Sequence, residues 1–238
     1  MFKRVIPTAL VLASFVGTAQ AQDITSATGL FFDVNVGAAF RSGTSNTTTG
    51  GRYHSGNVKD VHFSEAYAVG GQIGYRLSQE LAAFVSVNHI SGGLNWAAWY
   101  PGIEDSRFRS RANSTLILAN AAYSYSLSEA TALTATAGLG LSINGLSNIF
   151  ESSTTSGEFA KVGNNTQYDT AARLGLSLSH QIAPSLTLGL DGALAYTGGF
   201  STGHSRYNID FKANEAIGPY AVQNVWAATV TASLKASF

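Results

Sequence analysis

The chain has 238 residues, 14 Lys and Arg against 14 Asp and Glu, 45% hydrophobic residues and no cysteine. A neutral balance argues against a general nucleic-acid binder, and the missing thiols exclude disulfides and thiol-ligated metal sites. Gly, Ser, Thr, Ala and Asn are abundant while Pro is scarce, which fits regular strands with polar loops rather than disorder.

The first segment reads as a secretory signal peptide over residues 1–21. Lys3 and Arg4 supply its charge, Val5 to Val16 its short apolar stretch, and Ala19-Gln20-Ala21 the small-x-small cleavage pattern. The apolar stretch is well short of the ~20 residues that span a bilayer as a helix. Without Lys3 and Arg4 the mature chain, residues 22–238, carries a charge of about −2. Its size suits a single domain.

Eight segments then alternate apolar with small or polar residues, the period of a strand. Leu30–Phe40 presents Phe32, Val34, Val36, Ala38 and Phe40 on one face and Asp33, Asn35 and Gly37 on the other. Ala66–Leu77 sets Tyr67, Val69, Ile73 and Tyr75 against Gly70, Gln72, Gly74 and Arg76. After a tight Ser78-Gln79-Glu80 turn, Leu81–His89 sets Leu81, Ala83, Val85 and Val87 against Phe84, Ser86 and Asn88. Thr115–Leu127 is less regular, with Leu116 and Leu118 on the polar parity. The fifth to eighth segments run from Leu133 to Ile143, Arg173 to Ser179, Leu186 to Leu194 and Trp226 to Phe238.

No Lys, Arg, Asp or Glu falls on the central apolar parity of these segments, whereas Asp33, Arg76, Asp169, Arg173, Asp191 and Lys235 all fall on the other. A face so free of charge points into lipid, where Arg or Lys costs roughly 2–4 kcal/mol at the midplane. A soluble sandwich or lipocalin-type barrel would have to bury Asp33, Arg173 and Asp191 in a dry core. Connections alternate between a few residues (near Ser78, Ser128 and Pro184) and about twenty (41–65, 91–113, 144–167 and 197–221). Aromatics fall at strand ends: Phe32, Tyr75, Tyr123, Tyr125 and Phe238 at one, Phe40, Tyr67, Tyr196 and Trp226 at the other. The expected fold is all-β: an eight-stranded antiparallel up-and-down transmembrane β-barrel with four long extracellular loops, in the outer membrane of a Gram-negative cell.

The signal peptide, the eight strands, the long loops and the ending Leu234-Lys235-Ala236-Ser237-Phe238 resemble the small outer-membrane barrels of the opacity-protein and OmpA/OmpX type. That resemblance implies that the terminal Phe238 is read by the barrel-insertion machinery. It specifies fold far better than function.

Eight strands leave an interior just wide enough to be filled by side chains. Asp33, Arg76, Arg173, Asp191 and Lys235 are expected to form an internal charge network, with Lys235 near Asp33 if the last and first strands close the barrel. A narrow ion path is the alternative. In the second loop Arg107, Arg109 and Arg111 recur every second residue on the outward parity. There they would bind lipopolysaccharide phosphates, with Glu104 and Asp105 as partial neutralisers. His89, Ser91 and Glu104 form the only enzyme candidate, a Ser/His/acid set. Its spacing is similar to that of outer-membrane lipid A deacylases, although Gly92 stands where that family has Asn. The plainer reading of His89 and Ser91 is a polar strand end.

The sequence thus reads as a non-enzymatic surface barrel with no cofactor or metal. Its loops would touch the host, the surroundings or lipopolysaccharide and support the envelope. A narrow porin-like channel and a lipid A-modifying esterase are the other readings.

Overall fold

The computed structural model describes residues 28–45, 48–49, 56–99, 105–153 and 157–238. The expected signal peptide, the start of the mature chain and Glu104 lie outside them. Twelve strands follow in chain order: β1 (Gly29–Thr44), β2 (Thr48–Thr49), β3 (Gly56–Arg76), β4 (Leu81–Trp99), β5 (Ser106–Ser126), β6 (Thr131–Ser153), β7 (Glu158–Val162), β8 (Asn165–Ala183), β9 (Leu186–Ser201), β10 (Ser205–Asn208), β11 (Ala213–Ala216) and β12 (Ala221–Ser237). Eight of them, β1, β3, β4, β5, β6, β8, β9 and β12, pair antiparallel in that order, and β12 returns to β1 to close the wall.

The register fixes the barrel's geometry. From Phe32 the partners run through Ile73, Val85, Ala119, Leu139, Ala172, Tyr196 and Trp226, and arrive back on β1 at Ser42, ten residues away. With a rise of about 3.3 Å per residue and strands about 4.8 Å apart, that stagger tilts every strand by about 40°. Each residue then climbs ~2.5 Å along the axis.

The alternation has the expected sense. Val36, Ile73, Leu139, Leu174 and Leu190 project outward, each more than half exposed to the surroundings, while Asp33 is buried inside. Lipid is the solvent that makes such a surface stable. Phe32, Tyr75, Tyr123 and Tyr125 ring the lower end of this band; Phe40, Tyr67, Tyr196 and Trp226, joined by Tyr168, ring the upper. On the staggered register the two rings lie ~20 Å apart, close to the height of an outer-membrane apolar band. Tyr196 and Trp226 meet edge to face at 5.3 Å.

The four long connections differ from the expectation of loops. β4 continues ten residues past His89 to Trp99, β5 begins at Ser106, and β6 runs 23 residues to Ser153. About ten residues cross a membrane at this tilt, so the wall stands well above the upper ring. There its polarity reverses. On β4, Val85 and Val87 face outward beside inward Ser86 and Asn88, but higher up Ile90, Leu94 and Trp96 face inward. On β5, outward Arg107, Arg109 and Arg111 flank inward Phe108 and Ala112. The emergent wall meets water and carries its own apolar core: Trp96 stacks on Phe108 at 5.1 Å, and Tyr220 packs against both. Above Leu146, β6 leaves β8 and pairs instead with β7, which continues through β10 to β11.

Candidate functional site

Three places carry chemistry: the interior, the outer face of the emergent wall, and the rim near His89.

The interior is layered. The lowest layer is a cavity of about 70 Å³, lined by Asp33, Arg76, Arg173, Asp191 and Lys235 among others. Strand register sets Asp33 directly beside Lys235 on one side and Gln72 on the other. The Lys235 ammonium lies 5.2 Å from the centre of the Phe31 ring. No ion pair among the described residues joins two of the five charged groups. Gly74 gives the neighbouring aromatics room, since a Cβ there would collide with Phe84 and stand 2.7 Å from Phe31.

Above the cavity, Leu116, Leu118, Ile90, Ala39, Ala68 and Ala195 form a buried apolar septum. The irregular parity of Leu116 and Leu118 therefore marks a layer inside the barrel. A polar layer follows. Asn144 donates to Asp169 Oδ2 at 3.0 Å and to the Thr197 carbonyl at 2.6 Å, while Gln167 and the Gly199 amide donate to the same carboxylate oxygen. Gly198, at φ +87°, lets the backbone pass against Asp169, where a Cβ would clash. Arg41 lies buried beside this layer, donates to the Ala112 carbonyl at 3.1 Å, and rests 5.0 Å from the Phe63 ring centre. The aromatic core of the emergent wall closes the top.

On the outer face, β5 presents Arg107, Arg109 and Arg111 to solvent in one line. Arg111 pairs with Gly93, one residue pair beyond the Tyr67–Ser91–Asn113 row that belongs to the upper ring. It therefore stands ~7 Å along the strand above that row, and the other two follow at similar steps. Register carries Arg109 across to Phe150, Lys161 and Tyr207. The Arg109 and Lys161 cations both lie over the Phe150 ring, at 5.2 and 5.6 Å, an arrangement the ring's quadrupole favours. Arg109 is paired with Glu158, and Asp105 is engaged by Lys59 at 2.6 Å. Among the described residues Glu158 is thus the neutraliser, in place of Asp105, while Glu104 lies outside them. Lys161 and Phe150 were not visible as members of this strip, because their place depends on β7 pairing with β6.

Further out, Arg206 joins Glu151 at 2.5 Å and Glu215 at 2.6 Å, tying the β10–β11 hairpin to β6. Burial disfavours the Arg206 charge, but hydrogen bonds and attraction from Glu151 and Glu215 outweigh it and hold its pKa above the ordinary arginine value. At the hairpin tip Phe211 is 81% exposed.

At the rim, His89 Nδ1 is 2.9 Å from Thr115 Oγ1, and its ring lies 6.5 Å from that of Tyr67. Ser91 is buried between its strand neighbours Tyr67 and Asn113. His89 thus engages Thr115 through Nδ1, while Glu104, the acid of the candidate set, lies outside the described residues. Among the described residues no group of His, Cys, Asp and Glu has the spacing of a metal site. Phe238 ends the chain exposed on the lower ring, its amide bonded to the Leu30 carbonyl at 2.9 Å.

A closed eight-stranded cylinder, apolar outside across one bilayer height and polar within, is a membrane-spanning β-barrel. No family model and no curated protein matches the sequence. Solved structures do match the fold. The outer membrane protease OmpT of Escherichia coli aligns with a TM-score of 0.52 at 10% identity, over 90% of this chain and 98% of that one. Neisserial surface protein A aligns at 0.46 and 14% identity, over 88% and 97%. Outer membrane protein OprG of Pseudomonas aeruginosa aligns at 0.49 and 10% identity, over 90% and 99%. The chain has the fold of the small outer-membrane β-barrels. At 10% identity the likeness to that protease goes no further than architecture.

Proposed function

We propose that the protein is a non-enzymatic surface barrel whose outer wall binds the phosphates of lipopolysaccharide and so braces the envelope. The observation that carries this is the line of Arg111, Arg109 and Arg107, exposed on the lipid-side parity and starting one step above the upper aromatic ring. With Lys161 alongside, four cations line the strip, and among the described residues Glu158 is their one ion-pair partner. Guanidinium forks suit phosphate oxygens, and the lipid-headgroup depth keeps part of the attraction from being screened. Phosphate groups would displace or share Glu158 at Arg109.

The test is thermal unfolding of the R107Q/R109Q/R111Q variant in bilayers with and without lipopolysaccharide. The unaltered protein is expected to gain stability from lipopolysaccharide, and the variant to lose that gain. Equal gains would discard the reading. The distal surface, with Phe211 and Tyr207 exposed on a hairpin clamped by Arg206, supports a further contact role toward host or surroundings. The septum and the aromatic core support a closed interior, so the narrow-channel reading ranks second. Planar-bilayer recording separates the two, since a closed barrel gives no steady conductance. The lipid A-esterase reading has least support, with His89 bonded to Thr115.

A further inference from the structure

The lowest interior layer presents an unsolved problem of charge. Three cations, Arg76, Arg173 and Lys235, face two carboxylates, Asp33 and Asp191, around one cavity. Mutual attractions and repulsions link all five, yet none of the ion pairs among the described residues joins any two of them. With all five groups ionised, the cluster carries one surplus positive charge inside a lipid-wrapped cylinder, a setting that favours a counter-charge. It also leaves two buried oxygens, Asp33 Oδ1 and Asp191 Oδ2, without a donor. Asp33 is 97% buried, from a relative exposure of 3%, so bulk water does not satisfy it.

An occupant must therefore accept from the cations, bring about one negative charge, and donate protons to two carboxylates. Chloride and sulfate meet only the first two demands. Water meets only the first and third. Dihydrogen phosphate meets all three: its two P–O–H groups donate to Asp33 and Asp191, and its two bare oxygens accept from Arg76, Arg173 and Lys235. A cavity of about 70 Å³ has room for several waters or one such tetrahedral ion. The septum above closes the route to the outside, so the ligand enters at the periplasmic rim.

We propose that this vestibule is a periplasm-facing binding site for inorganic phosphate, taken as its dihydrogen monoanion. The two aspartates select phosphate over sulfate, and the three cations supply the affinity.

The experiment uses the protein folded in octyl glucoside micelles and carrying R107Q/R109Q/R111Q, so that the outer strip cannot take up the anion. Calorimetric titration at constant ionic strength compares inorganic phosphate, sulfate and glycerol phosphate. Saturable binding of phosphate at least tenfold tighter than sulfate is expected. Glycerol phosphate, whose monoanion has a single P–O–H group, is expected to bind more weakly than inorganic phosphate, and equal affinity would overturn the two-aspartate reading. Asp33→Asn with Asp191→Asn should abolish the phosphate–sulfate discrimination, and Lys235→Met should weaken both anions. Should either variant fail to fold, ³¹P line broadening with sulfate competition on the protein with intact aspartates reads the same selectivity. Absence of saturable binding, equal affinity for sulfate, or discrimination that survives loss of both aspartates would overturn the proposal. None of these results bears on the lipopolysaccharide strip, whose arginines are absent from the sample.

Discussion

Replacing Arg206 with Met isolates the clamp that holds the β10–β11 hairpin. The Glu151 side chain is 4% exposed and that of Arg206 14%, whereas Glu215 is 36% exposed and can turn to water. Removing the cation leaves Glu151 charged and buried, a change that typically costs 3–5 kcal/mol. The variant should therefore lose about 3–5 kcal/mol of hairpin stability. The readout is hydrogen exchange at the amides of β7, β10 and β11, where that loss lowers protection by about two decades or more. R206M/E151L, which removes both buried charges, should recover most of it. Protection that is unchanged by R206M would refute the clamp.

Val36 lies midway between the aromatic rings and is 61% exposed outward; Val36→Arg should cost roughly 2–4 kcal/mol of folding stability in bilayers, and a neutral result in urea titration would mean that this face does not touch lipid. Gly74→Ala should lower stability by about 1–3 kcal/mol through collision with Phe84 and Phe31; unchanged urea unfolding would contradict the packing. Leu118→Ala removes a fully buried septum side chain and should cost about 2–5 kcal/mol, measured by the same titration. Asp33→Ala should lower the unfolding temperature in micelles; an unchanged melt would remove Asp33 from the charge network.

The membrane-spanning half of the wall was legible because one rule holds along it: lipid tolerates no charge, so the outward parity of β1, β3 and β8 is unbroken. The lower strand ends were equally clear, since tight turns such as Ser78-Gln79-Glu80 mark them. The upper ends were not. Beyond His89 the apolar residues change parity, from Val85 and Val87 to Ile90, Leu94 and Trp96, and a search for a single apolar face stops at the change. The segment reads as a loop although Ile90, Leu94 and Trp96 keep one parity along it. Arg107, Arg109 and Arg111 were found because they continue a parity already established on β5. Phe150 and the Arg206 clamp depend on pairings between residues more than forty apart, as in Arg109–Phe150 and Arg206–Glu151, and Lys161 on the return of β7 onto β6, none of which a single alternating segment reveals.

The change of parity at His89 also works as a waterline. A shift of one residue pair outward would strand leucines in brine, and a shift inward would drag Arg111 into oil. The protein thus needs no tether or partner to know how deeply to sit. Its draught is written into the order of its side chains, and any ligand held on the protruding portion is presented at a fixed distance above the cell.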